Sequence, residues 1–90
     1  MMEKVLIVKN RLGLHARPAA MFVQEAAKFK SQVFVVKDGL QVNGKSVMGL
    51  MLLAAESGSK LTVKADGADE AKAIEALEKL FERRFDEEGA

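Results

Sequence analysis

The 90-residue chain has no cysteine, no tryptophan, no tyrosine, one proline and one histidine. Without cysteine it can form neither a disulfide nor a thiolate metal site, which suits a reducing compartment. A single imidazole also excludes a histidine-rich metal site. Absence of Trp and Tyr removes the best base-stacking side chains, and 14 basic against 13 acidic residues leave a net charge of +1 with no basic field for nucleic acid. The longest apolar run, residues 47–55, is far short of the roughly 20 residues a membrane helix needs. Residues 5–8 form too short an apolar segment for a signal peptide. The expectation is a soluble cytoplasmic protein of one domain, residues 1–90. At this size folding buries only about 60–65% of the unfolded surface, so the core is thin.

The lone imidazole lies in Gly13-Leu14-His15-Ala16-Arg17-Pro18. Downstream, Ala19, Phe22, Val23, Ala26 and Phe29 recur with the period of an amphipathic helix, expected over residues 16–28. Pro18 suits its first turn, where a missing N–H costs nothing, and holds Arg17 extended. No Ser, Thr, Asp or Asn stands close enough upstream to cap this helix. The N–H groups of Ala16, Arg17 and Ala19 are therefore expected to point, with the positive end of the helix dipole, at whatever lies above His15. That arrangement is an anion site, and Arg17 adds a planar donor fork suited to phosphate oxygens. A neutral imidazole nitrogen is a competent nucleophile toward phosphorus, and the protein's task in phosphoryl transfer is mainly to position groups and balance charge. No second general base or metal cluster is available, so the reading is a stoichiometric carrier rather than a turnover enzyme, with no cofactor.

The remaining elements follow from periodicity and turns. Residues 5–8 read as a strand, residues 32–37 as a second, and Asp38-Gly39 as a hairpin turn returning into a third over residues 40–43. Ser46 opens a short apolar helix reaching Leu53, with Val47, Met48, Met51 and Leu52 on one side and Leu50, Leu53 and Ala54 on the other, of which a domain this small can bury only one. Residues 60–66 alternate as a fourth strand. From Asp69, Ala73, Ile74, Leu77, Leu80 and Phe81 line one face of a helix reaching about Phe85, with Glu75 and Lys79 paired on its wet side. The order βαββαβα with hairpin connections predicts an α+β fold, an open-faced β-sandwich: a four-stranded antiparallel sheet with helices on one face. Alternation places Leu6, Val8, Val33, Val35, Leu40, Val42, Leu61 and Val63 inward. It turns Val5, Ile7, Phe34 and Val36 outward, more apolar surface than a small monomer usually exposes.

Two motifs, Gly13-Leu14-His15-Ala16-Arg17-Pro18-Ala19-Ala20 and Lys45-Ser46-Val47-Met48-Gly49-Leu50-Met51, together with this element order, closely resemble the HPr family, the histidine-containing phosphocarriers of the bacterial sugar phosphotransferase system. The resemblance implies that His15 accepts phosphate on Nδ1 from phosphorylated Enzyme I and passes it to IIA domains of sugar permeases, with Arg17 and Ala16 at the phosphate. It implies that Ser46, by residue type a helix N-cap, is a regulatory phosphorylation site for an HPr kinase/phosphorylase and links to a catabolite-control transcription factor. It also implies that Leu14, Met21, Val47, Met48, Met51 and Leu52 form the docking surface for Enzyme I and IIA domains. His15 separates the chain from the catabolite-repression paralogue that lacks this histidine. A nitrogen-related paralogue and a Ser46-controlled co-repressor module are the alternatives. Leu12 departs from the small polar residue frequent at its place, and Ala54-Ala55 from a stretch that commonly holds glycine.

Overall fold

The computed structural model describes residues 1–87. Its elements are β1 (Met2–Ile7), α1 (Ala16–Ala26), β2 (Gln32–Lys37), β3 (Leu40–Asn43), α2 (Val47–Leu52), β4 (Lys60–Asp66) and α3 (Glu70–Glu82). The strands form one antiparallel sheet in the order β1-β4-β2-β3. Leu6 lies opposite Leu61, and Val33 and Val35 lie opposite Ala65 and Val63, so the two central strands present one continuous apolar face. Phe22 from α1 and Leu77 and Phe81 from α3 pack onto that face and are buried. The edge-to-face contact of Phe22 with Phe81, at 6.1 Å, ties the two helices together.

Strand β1 begins three residues earlier than the apolar run suggests. Met2, Glu3 and Lys4 lie ahead of the apolar run, yet they complete the ladder with β4: Glu3 lies opposite Lys64, and the Lys4 amine reaches Glu78 on α3. Val8 falls just past the strand but is fully buried. Helix α1 stops at Ala26, two residues short of expectation, because Lys28 and Phe29 donate to the carbonyls of Glu25 and Ala26 in a tightened last turn.

The outward residues are outward as expected, but they do not merge into one patch. Val5 is 57% and Ile7 44% exposed, whereas Phe34 and Val36 are half-buried. Thr62 of β4 stands between Val5 and Val36, and Lys64, whose amine donates to Gln41, stands between Glu3 and Phe34. A polar column on the central strand therefore divides the apolar residues. Leu40 is corrected: it has the inward phase but is 49% exposed, because its pair with Lys37 lies at the hairpin tip, beyond the helix layer. The tip itself is as expected, with Asp38 and Gly39 both at positive φ, 49° and 83°.

The last helix is shorter than predicted. Phe85 is not a further turn of α3; Arg84, Phe85 and Asp86 form a left-handed turn that folds Phe85 back under the helix, 5.0 Å from Phe81 and fully buried.

Candidate functional site

The loop before α1 is fixed from below. Gly13 has φ +75°, and a Cβ on it would stand 2.5 Å from the carbonyl oxygen of Ala55, so only glycine lets the loop lie on the chain leaving α2. Next to it, the Leu14 N–H donates to that same carbonyl at 2.8 Å. Asn10, fully buried, donates from Nδ2 to the Gly13 carbonyl at 2.6 Å. His15 is consequently held at the N-cap of α1 with extended backbone, φ −77° and ψ −172°, and no side-chain cap. Its ring is 37% exposed.

Ala16 and Arg17 carry the first two N–H groups of the helix, ahead of the first intrahelical bonds. The cradle is smaller than the sequence reading: the Ala19 N–H is not available, because it donates to the His15 carbonyl at 3.0 Å. Pro18, which is buried, offers no donor. Arg17 is exposed, and its charge acts on the carboxylate of Glu87.

The site contains a residue that sequence reasoning missed. Glu87, 72 positions along the chain, sets Oε2 2.8 Å from Nε2 of His15 and accepts from Asn10 Nδ2 on Oε1, also at 2.8 Å. Both partners of Asn10 Nδ2 are acceptors, which fixes the orientation of that amide. Burial pushes the Glu87 carboxyl up. Hydrogen bonds from Asn10 and His15, with the nearby charges of His15 and Arg17, outweigh it and hold the group below the usual carboxylate range. Among the described residues Nδ1 of His15 has no partner. No sequence signal pointed to Glu87, since it reads as part of a polar tail.

A shallow depression beside the ring is lined by Arg11, Leu12, Leu14, Met51, Ala54 and Glu56 among others. Leu12, 69% exposed, is an apolar part of the rim, and its side chain has no polar group with which to hold the imidazole. Ser46 caps α2, its Oγ accepting from the Gly49 N–H at 3.1 Å. The suggested docking residues separate into two groups. Met48 (80% exposed), Leu52 (72%) and Met51 (46%) face outward, whereas Met21 and Val47 are partly buried against the core. Leu14 is corrected: at 5% exposure it is a core residue that shows only an edge to the depression, because its N–H bond to Ala55 draws the side chain inward. Ala54 is corrected as well: it is exposed, and Ala55 is buried in its stead. Among the described residues no helix is long and apolar enough to cross a membrane.

A family model described as the PTS HPr component phosphorylation site matches residues 2–83. The chain is 48% identical over 88 residues to the phosphocarrier protein HPr of Treponema pallidum, covering 98% of this chain and 100% of that one. It is 54% identical over 83 residues to the HPr-like protein Crh of Halalkalibacterium halodurans, covering 92% and 99%. The crystal structure of HPr-C-His from Thermoanaerobacter tengcongensis matches with a TM-score of 0.94 at 51% identity, covering 98% and 99%. Agreement of sequence and fold over nearly the whole length carries one conclusion: the chain belongs to the PTS HPr family of phosphocarrier proteins.

Proposed function

We propose that this chain is a stoichiometric phosphoryl carrier that takes phosphate onto Nδ1 of His15 from phosphorylated Enzyme I and gives it to IIA domains of sugar permeases in the cytoplasm. The observation that carries the reading is the His15 ring at the uncapped start of α1, with Nε2 engaged and Nδ1 without a partner among the described residues. Nδ1 attacks phosphorus in line with the departing nitrogen of the donor. The N–H groups of Ala16 and Arg17, with the Arg17 guanidinium, balance charge on the equatorial oxygens. Nothing in the step requires a cofactor.

Ser46 supports a second, compatible role, as the site of an HPr kinase/phosphorylase that favours association with a catabolite-control transcription factor. Its Oγ already sits at a helix start, where added phosphate meets the dipole favourably, so the negative charge acts beside Met48 without refolding α2. The particular observation favouring this role is the likeness to Crh proteins, one of which, described as the Bacillus subtilis catabolite repression HPr, matches at 49% identity with a TM-score of 0.65.

Incubation with phosphoenolpyruvate and Enzyme I tests the carrier. Acid-labile, base-stable label is expected on the wild type and is expected to vanish in His15→Ala. Label that survives in His15→Ala overturns the reading. Kinase-dependent, acid-stable label lost in Ser46→Ala supports the second role.

A further inference from the structure

Arg84, Phe85 and Asp86 have φ of 54°, 55° and 57°, three consecutive non-glycine residues in the left-handed region. Such residues are costly singly, and a run of them persists only where the surroundings over-determine it. Here both ends are held. Phe85 is fully buried against Phe81, and the N–H groups of Asp86 and Glu87 donate to the carbonyls of Arg83 and Arg84 at 2.9 and 3.1 Å. At the far end the two carboxylate oxygens of Glu87 are each occupied, one by buried Asn10 and one by Nε2 of His15. The backbone strain therefore lies in the segment that delivers one carboxylate to the nucleophile.

We propose that Glu87 is a positioning residue for the phosphoryl acceptor, holding the proton on Nε2 so that the lone pair of His15 stays on Nδ1 and the ring leaves as neutral imidazole in onward transfer. The inference rests on the carrier reading. In the first step an N–P bond forms at Nδ1, the donor's N–P bond breaks and the donor nitrogen keeps that electron pair. The Nε2 proton stays in place, and the cationic phosphorylated ring faces the Glu87 carboxylate. In the second step an acceptor nitrogen attacks phosphorus and the Nδ1–P bond breaks with its electrons returning to Nδ1. The ring departs neutral because it never lost its proton. Without the carboxylate, that proton passes to water more readily and the leaving group becomes the far poorer imidazolate. Among the described residues, the other charged groups near the ring and its carboxylate partner include Arg17, Arg11 and Glu56, and the two guanidiniums oppose a cationic ring, which increases the need for a counter-charge.

The test uses the full chain as Glu87→Ala and Glu87→Gln, with two readouts. In nitrogen-15 spectra of the imidazole, the excess of the Nε2–H tautomer is expected to fall about tenfold in Glu87→Ala. Glu87→Gln keeps one acceptor, which can face Nε2 only by turning its NH2 toward the Asn10 amide, and is expected to restore part of that excess. In single-turnover transfer from prelabelled protein to a IIA domain, the pH at which transfer is half lost is expected to drop by about one unit in both variants, because glutamine replaces the bond but not the charge. An unchanged tautomer ratio in Glu87→Ala, or an unchanged pH profile in both variants, overturns the proposal. Melting shifts alone, with both readouts unmoved, make Glu87 structural and also overturn it. If the wild type takes no label from Enzyme I, the carrier reading fails, while the tautomer measurement still decides whether Glu87 positions the ring.

Discussion

The backbone N–H groups of Lys30 and Ser31, together with the Ser31 hydroxyl, all donate to the carboxylate of Asp69, joining the loop after α1 to the start of α3. In the sequence Asp69 reads as an acidic residue complementing its own helix dipole. In the folded chain it makes no side-chain cap and serves a segment 38 residues away. The Ser31 hydroxyl bond and the Lys30 backbone bond, working against burial, draw its carboxyl from the ordinary 3.8 to about 2. Between those values the native state binds fewer protons than the unfolded chain. The stabilisation is therefore complete above the unfolded value and lost as pH falls through the folded one. Thermal melts followed by circular dichroism between pH 5 and about 1.5 should show the wild type losing stability most steeply below pH 4. Asp69→Asn should be less stable at neutral pH and show a shallower acid limb. Glu70 and Glu87, both also drawn downward, should leave part of that limb in the variant. Equal slopes in the two proteins would contradict the assignment.

Helix α2 shows what local chemistry fixes and what it does not. Ser46 was legible as its cap, and the structure realises that cap through the Gly49 N–H. The far end was less legible: after the C-cap Leu53 the chain turns through Ala54 at φ 47°, the left-handed position that glycine usually fills. An alanine there carries a penalty of about 1–2 kcal/mol, and because Ala54 is exposed no packing is lost on removing its methyl. Ala54→Gly should therefore raise stability by about 0.5–1 kcal/mol after the extra entropy of the unfolded glycine is counted. The check is the urea midpoint, which should rise with an unchanged slope. The middle and last strands, β2, β3 and β4, were readable to the residue because turn signals bound them on both sides. The ends of β1, α1 and α3 were not, since their limits are set by partners: β4 for Met2–Lys4, and the buried site under α3 for Phe85.

At the scale of the whole molecule, the helix layer covers only one side of α2, leaving Met48, Met51 and Leu52 exposed near the depression that holds His15. Flexible, unbranched methionines suit a surface that must fit more than one partner. Met48→Ala should raise KM for transfer from Enzyme I by about five- to tenfold, the effect of losing a moderate hot spot. Its melting temperature should stay within a degree or two, because an 80%-exposed side chain contributes little to folding. A large loss of stability with unaltered KM would place Met48 in the core. Sequence alone determined the secondary-structure order, the inward faces of the strands except at Leu40, the uncapped helix start at His15 and the helix cap at Ser46. Each of these depends on residues within a few positions of one another, where side-chain period and backbone preference act directly. Tertiary structure alone decided that Leu14 turns into the core, that Leu40 lies beyond the helices, that Ala19 gives its N–H to His15, and that Glu87 reaches the imidazole. That last contact closes a span of 72 residues through the left-handed turn Arg84-Phe85-Asp86, in which only Asp86 is of a type that favours such a turn. Burial of Phe85, a long-range contact rather than a local preference, is what holds that turn in place.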